Sequence, residues 1–180
     1  MDMAGTEQGR PAAAVVMGVS GCGKSSVGAR LADMYKVAFL EGDQLHSAAN
    51  VEKMAHGMPL TDDDRWPWLD AIGTEIAATI AAGRGLVVSC SSLKKSYRDR
   101  LRQAAGGHLR FVYLEGSRTL LESRMTARKG HFMPATLLDS QLKTLEVPTG
   151  EAGVVTVDID ADLETIVARA IVGLRQLPRA

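Results

Sequence analysis

The segment from Gly18 to Ser25 constrains the fold of this chain more than any other. It reads GVSGCGKS and fits the pattern G-x-x-x-x-G-K-[ST]. An apolar run, Ala13–Met17, comes directly before it, and a stretch with Val27 and Leu31 at helical spacing follows it. In a strand–loop–helix unit, backbone N–H groups surround an anion, and the helix N-terminus adds partial positive charge. The segment therefore predicts a loop that binds the phosphates of a nucleoside triphosphate.

The residue types within the loop each suit that chemistry. Glycines adopt positive φ and let the backbone approach the phosphate oxygens. Lys24 is expected to reach the β- and γ-phosphates, and the Ser25 hydroxyl to bind Mg²⁺. Cys22 is interpreted as a small filler, with a redox switch as the alternative. The predicted nucleotide-binding residues of the loop are Gly18, Val19, Ser20, Gly21, Cys22, Gly23, Lys24, Ser25 and Ser26.

Short apolar runs alternate with stretches of helical period along the rest of the chain. This alternation is typical of an α/β fold, in which helices cover both faces of a parallel sheet. One predicted helix, with Leu69, Ile72 and Ile76 on a single face, begins near Pro67. The pattern predicts five strands, at Ala13–Met17, Val37–Leu40, Leu86–Cys90, Leu109–Leu114 and Val154–Ile159.

Length and composition limit the number of domains and the classes of partner. The 180 residues, 46% of them apolar, suit one domain, expected at 12–180, after a disordered tail at 1–11. The 21 basic and 21 acidic residues cancel, so we expect no nucleic-acid partner. No apolar run approaches the roughly 20 residues of a membrane helix, so we expect no membrane partner either. The two cysteines form no metal-binding or disulfide pattern, which favours the cytoplasm.

Two kinds of phosphate-loop protein are excluded by missing residues. A switch GTPase needs N-K-x-D to read guanine, and the chain contains no Asn-Lys pair. A motor-type ATPase needs an acidic residue at the end of a later strand, but Leu86–Cys90 ends in Ser and Cys. Asp43 follows the second strand, where the carboxyl ends of parallel strands form the ligand crevice. We therefore predict that Asp43 binds Mg²⁺ and orients, or deprotonates, an acceptor hydroxyl.

Six further segments are similar to the gluconokinase family of small-molecule kinases. They are Gly42–His46, Asn50–Met54, Gly57–Arg65, Pro67–Leu69, Cys90–Asp99 and Glu122–Phe132. They occur in the family's order, and the resemblance runs from about residue 14 to about residue 159; one departure is Ser92, where alanine is expected. The resemblance implies a three-layer P-loop kinase fold with a small lid. It also implies transfer of phosphate from ATP to the 6-hydroxyl of D-gluconate, and a homodimer.

The proposed substrate has a carboxylate and several hydroxyls. The candidates for binding it are Asp43, His46, Arg65 and Arg98. His46 lies three residues after Asp43 and can share its cleft, although a buried structural histidine is the alternative. Arg65 is chosen mainly on the resemblance; the alternative is an exposed ion pair with a neighbouring aspartate. Arg98 is chosen from three nearby arginines on the resemblance alone.

A dense basic region suggests the lid, at about residues 124–136. Arg124 and Arg128 are four residues apart and so share a helix face. We predict that Arg128 neutralises the transferring phosphoryl group and that Arg124 contacts the nucleotide; a solvated charged face is the alternative. The acidic run Asp62–Asp64 is interpreted as the start of a helix capped by Thr61 or an aspartate.

Two other functions are alternatives to this one. The same scaffold serves kinases of other metabolites, such as shikimate or nucleoside monophosphates. A regulatory module that binds nucleotide without catalysis is the second alternative, and the presence of Lys24, Ser25 and Asp43 argues against it.

Overall fold

The computed structural model describes residues 10–128 and 135–179, and its centre is a parallel sheet of five strands. The strand order is β2-β3-β1-β4-β5. The strands are β1 (Ala13–Met17), β2 (Ala38–Glu41), β3 (Leu86–Ser89), β4 (Leu109–Glu115) and β5 (Val154–Asp158). The predicted parallel sheet and all five strands are confirmed, and their ends differ from the predicted ones by at most one residue.

β1 lies at the centre of the sheet and is buried along its whole length. Val15 pairs with Val88 of β3 on one side and with Phe111 of β4 on the other. Since both faces of such a strand are covered, every one of its side chains can be apolar. The end of β1 therefore opens at the middle of the carboxyl edge, between β3 and β4.

Seven helices surround the sheet in the described part of the chain. They are α1 (Lys24–Tyr35), α2 (Ala48–Ala55), α3 (Asp62–Ala81), α4 (Lys95–Ala104), α5 (Arg118–Ala127), α6 (Ala135–Thr144) and α7 (Leu163–Gln176). From β1 to β2 the chain crosses the sheet in one direction, and from β2 to β3 it returns in the other. Because both crossovers are right-handed, α1 lies on one face of the sheet and α3 on the other. α7 packs with α1, and α4 packs with α3. The predicted layers of helix, sheet and helix are confirmed.

The start of α3 differs from the prediction. The helix begins at Asp62, and Pro67 lies inside it. Thr61 caps the helix: its hydroxyl accepts from the N–H of Asp64, whose carboxylate accepts from the N–H of Thr61. This capping box satisfies the N–H groups of Thr61 and Asp64. The three acidic residues of the first turn also suit the positive end of the helix dipole. The expected cap at Thr61 is thus confirmed, and the predicted start near Pro67 is wrong.

Parts of two predicted segments lie outside the described residues. In the predicted tail, 1–11, this part is residues 1–9, and in the predicted lid, about 124–136, it is residues 129–134. Within the described ranges, no helix combines the length and the apolar character needed to cross a membrane.

Candidate active site

The phosphate loop leaves β1 and enters α1 in the geometry that its glycines allow. Gly18, Gly21 and Gly23 have φ of 144°, 85° and 92°. A Cβ on Gly18 would lie 2.8 Å from Cys22 Sγ, so a side chain there would collide with the loop. Lys24 Nζ donates to the main-chain oxygen of Val19 at 3.2 Å, which places its charge over the loop. The predicted strand–loop–helix unit is present.

Asp43 lies in a short 3₁₀ turn that is fixed by contacts from two other elements. The N–H of Gly42 donates to Ser89 Oγ at 3.3 Å, and Trp68 Nε1 donates to the Gly42 carbonyl at 2.8 Å. A Cβ on Gly42 would lie 2.1 Å from the main-chain oxygen of Ser89, so only glycine fits this close approach. The turn is therefore held against β3 and α3. It leaves the Asp43 side chain 67% exposed at the carboxyl edge of the sheet.

A cleft joins this turn to the phosphate loop. It brings together Lys24, Asp43, His46 and Arg65, all of which the sequence singled out. The cleft is lined by Ser20, Lys24, Asp43, His46, Met54, Pro59, Leu60, Arg65, Trp68, Ser91, Leu137, Ser140 and Gln141. Its walls thus combine a cation, a carboxylate and a buried guanidinium with apolar side chains, as expected for a small polar ligand.

His46 packs against α3 on one wall of this cleft. Its ring stacks on Trp68, with 4.0 Å between ring centroids, and its side chain is 3% exposed. Burial lowers the pKa of His46, the Asp43 carboxylate acts in the opposite direction, and Arg65 lowers it further. The ring is therefore neutral at neutral pH. In that state it can donate or accept a hydrogen bond, but it carries no charge.

Arg65 is buried in the same wall, without a carboxylate partner among the described residues. It is 7% exposed, its Nε has no hydrogen-bond partner in the described chain, and its guanidinium lies 5.4 Å from the centroid of the Tyr97 ring. The neighbouring Asp62 binds Lys94 and Tyr97, and Asp64 binds Lys53. The alternative of an exposed ion pair is therefore wrong. A buried, unpaired guanidinium that lines a cleft is suited to binding an anion.

Arg98 is not brought to this cleft, which corrects its predicted role as a substrate ligand. It is 1% exposed, and its five N–H donors are all used by the protein. Nε and Nη2 donate to the Glu151 carboxylate, Nη1 donates to the carbonyls of Ser92 and Leu93, and Nη2 also donates to the carbonyl of Glu146. Arg98 therefore joins the segment after β3 to the segment before β5.

Arg98→Leu is expected to lower the free energy of unfolding by about 3–5 kcal/mol, because the Glu151 carboxylate and three carbonyls lose a buried partner. Arg100→Leu is the matched control on the same helix. Arg100 pairs with Asp70 at the surface, so its loss should cost about 1 kcal/mol or less. Urea unfolding of both variants measures the difference, and equal losses would contradict the structural role given to Arg98.

The two predicted lid arginines lie on the other side of the phosphate loop. Arg124 and Arg128 line a second cleft together with Gly21, Gly23 and Ser26. Arg124 Nη2 donates to the main-chain oxygen of Ile159 at 2.6 Å, which ties α5 to the end of β5. Arg128 is exposed at the end of α5. Both therefore lie close to the loop, next to the N-terminus of α1.

One residue that contacts the loop directly carries no recognisable signal in the sequence. Gln141 of α6 accepts hydrogen bonds with Oε1 from the N–H of Ser20 at 2.7 Å and from its hydroxyl at 3.1 Å. The two residues are 121 positions apart, and no motif connects them. Only their contact across the cleft identifies Gln141.

Comparisons with known proteins agree with this architecture. Residues 14–148 match a family described as AAA domain. The thermoresistant gluconokinase of Escherichia coli is 48% identical over 158 residues, which are 87% of this chain and 90% of that protein. A crystal structure of a gluconokinase from Sinorhizobium meliloti is 54% identical with a TM-score of 0.85, and the match covers 91% of each chain. The APS kinase of Mycobacterium tuberculosis is 21% identical with a TM-score of 0.67, over 93% of this chain and 99% of that one, and so shares the fold.

Proposed function

The chain belongs to the gluconokinase family, and from this premise we propose that it transfers a phosphoryl group from ATP to the 6-hydroxyl of D-gluconate. The products are 6-phosphogluconate and ADP. The observation that carries the proposal is a single cleft lined by Lys24 of the phosphate loop, Asp43 and Arg65. A phosphate donor and an acid with hydroxyl groups can therefore lie side by side.

The protein contributes mainly alignment and charge, because phosphoryl transfer proceeds through a loose transition state. The N–H groups of the loop and the N-terminus of α1 bind the phosphates, and Lys24 adds charge where the γ-phosphoryl moves. Asp43 accepts a hydrogen bond from the 6-hydroxyl and aims it at the phosphorus, either as a base or as a positioning group. His46 binds a hydroxyl of the acceptor.

Ser25 and Asp43 suit Mg²⁺ by their chemistry. Each offers a hard oxygen ligand, and both are exposed. Among residues 10–128 and 135–179 there is no cluster of three or more carboxylate, histidine or cysteine side chains. This fits Mg²⁺, which in kinases is held by one or two side chains together with substrate phosphates and water. When bound with ATP, Mg²⁺ neutralises charge on the β- and γ-phosphates.

Arg124 and Arg128 are proposed to serve the nucleotide from the second cleft. Their position beside Gly21 and Gly23 supports an adenine contact for Arg124 and a phosphate contact for Arg128. The hydrogen bond from Arg124 Nη2 to the main-chain oxygen of Ile159 anchors its guanidinium at this wall. Arg128 has no such anchor in the described residues, so it is the better candidate to move with the reacting phosphate.

Arg65→Met is expected to raise the KM for gluconate by about 10–100-fold, because it removes a charge-assisted contact with the substrate carboxylate. The KM for ATP serves as the internal control and should stay within about twofold, a free-energy change under ~0.5 kcal/mol. A larger rise in the ATP constant than in the gluconate constant would contradict the assignment of Arg65 to the acceptor.

The experiment that tests the function is release of ADP with single acceptors. D-gluconate, shikimate and each nucleoside monophosphate are supplied in turn with ATP and Mg²⁺. Turnover with gluconate alone is expected. Turnover with another acceptor instead would identify that acceptor as the substrate and contradict the proposal. No turnover with any acceptor would favour the non-catalytic nucleotide-binding module.

We also propose that the protein acts in the cytoplasm and as a homodimer. Both cysteines, Cys22 and Cys90, are buried free thiols, which suits a reducing compartment. Burial raises the pKa of Cys90 to about 11, so this thiol is also unreactive. The dimer rests on the family resemblance, and sedimentation equilibrium measures it.

A further inference from the structure

The contacts behind His46 determine which of its ring nitrogens carries the proton. Asn50 of α2 is 5% exposed, and its side-chain Nδ2 makes two contacts. One is with the main-chain oxygen of Asp64 at 2.9 Å, and the other is with His46 Nδ1 at 3.3 Å. A carbonyl oxygen only accepts hydrogen bonds, so the atom that faces it is the amide nitrogen and not the amide oxygen. The Asp64 carbonyl therefore fixes the orientation of the Asn50 amide.

That orientation decides the form of the neutral imidazole. An amide nitrogen only donates, so it presents a hydrogen to His46 Nδ1, which has to accept. The ring proton is then on Nε2. Nε2 lies 3.9 Å from Asp43 Oδ1, which is longer than a hydrogen bond and leaves the N–H available to a ligand in the cleft.

We propose that Asn50 is a positioning residue, which holds His46 as the Nε2–H tautomer so that the ring donates a hydrogen bond to the acceptor hydroxyl beside Asp43. A hydroxyl both donates and accepts. His46 donates to its oxygen while Asp43 accepts its hydrogen, and the two contacts together set the direction of the O–H bond. The identity of this hydroxyl rests on the proposed function; the tautomer does not.

The groups that face the ring agree with a neutral donor. They are the Asp43 carboxylate, the Arg65 guanidinium, the Trp68 ring and the Asn50 amide. Arg65 and burial both oppose a charge on the imidazole, and only Asp43 favours one. A protonated His46 would also lose its contact with Asn50, because Nδ1–H and the amide N–H would then point at each other.

Ring ¹⁵N NMR of the wild-type protein at pH about 7.5, a pH above the ordinary histidine pKa, tests the tautomer directly. A protonated and an unprotonated ring nitrogen have well separated shifts, and the His46 signals are those missing from His46→Gln. Protonation on Nε2 is expected. Protonation on Nδ1 would overturn the proposal. In Asn50→Asp the new carboxylate can only accept a hydrogen bond from the ring, so the ring proton should move to Nδ1. If the proton stays on Nε2 in this variant, Asn50 does not set the tautomer.

Two variants of His46 test the donor in catalysis. Both remove the stacking on Trp68 equally, but the glutamine amide reaches the place of Nε2–H, whereas the shorter asparagine amide reaches only the place of Nδ1. His46→Gln should therefore retain about tenfold more kcat/KM for gluconate than His46→Asn, the equivalent of one hydrogen bond. Equal losses would contradict the donor role.

The two proposals can fail separately. If the wild-type protein releases no ADP with gluconate, the proposed function fails, while the NMR spectra still decide the tautomer. If gluconate is phosphorylated and His46 carries its proton on Nδ1, only the role of Asn50 and His46 fails.

Discussion

Lys24→Ala should lower kcat by about 10²–10³-fold, the loss typical of removing one preorganised charge from a transition state. Lys24 Nζ now donates to the carbonyl of Val19, within the loop itself. Its charge is therefore held over the phosphate site before ATP arrives, and little reorganisation is needed when the γ-phosphoryl moves. The measurement is kcat with saturating ATP, Mg²⁺ and gluconate.

Lys95→Ala is the matched control for this variant. Lys95 is an exposed lysine that pairs with Asp99 on the surface of α4, so its loss should leave kcat within about twofold. Thermal unfolding of both variants shows whether the fold is intact. If Lys24→Ala keeps more than about a tenth of the wild-type kcat, Lys24 supplies less than ~1.4 kcal/mol and is not the main phosphate-directed charge.

Asp43→Asn should fold normally and bind ATP, yet lose about 10²–10⁴-fold in kcat if the carboxylate acts as the general base. The amide keeps the size of the side chain, but it cannot take a proton and binds Mg²⁺ less well. A smaller loss would mean that Asp43 only positions the hydroxyl. Turnover with saturating substrates and separate titration of ATP measure the two effects.

The fixed turn around Asp43 makes this variant informative. The Gly42 main chain is bound by Ser89 and Trp68, and neither contact involves the carboxylate. The backbone should therefore stay in place when the charge is removed. Asp63→Asn, at the exposed start of α3, is the control for a lost surface charge. Full activity in Asp43→Asn would remove Asp43 from the mechanism.

Local signals were enough for the sheet and the phosphate loop. β1 is apolar along its whole length because both of its faces are covered, and the loop needs positive φ at glycines, so both features are visible within a few neighbouring residues. Two local signals competed for the start of α3. Pro67 suits a first helical turn, but the stronger signal was the capping box formed by Thr61 and Asp64.

Arg98 shows where local signals fail. Its helix carries three arginines within five residues, and their spacing does not say which one is buried or what it meets. The structure pairs Arg98 with Glu151, which lies 53 positions away. At Arg65, which was predicted to bind substrate, the alternative of a surface ion pair fails because Asp62 binds Lys94 and Asp64 binds Lys53.

By itself, the sequence determined the α/β class, the phosphate loop with Lys24, and Asp43 after the second strand, because these depend on residue types at short, fixed spacing. The family and the choice of Arg65 followed from the resemblance of several separate segments, and the choice of His46 followed from its position three residues after Asp43. Only the tertiary structure decided that Arg98 is a buried structural residue, that Gln141 contacts the loop, and that the Asn50 amide contacts Nδ1 of His46. Those roles depend on which donors and acceptors remain unpaired once distant segments pack together. That pairing is a property of the folded chain, since a buried polar group takes its function from the partner it meets.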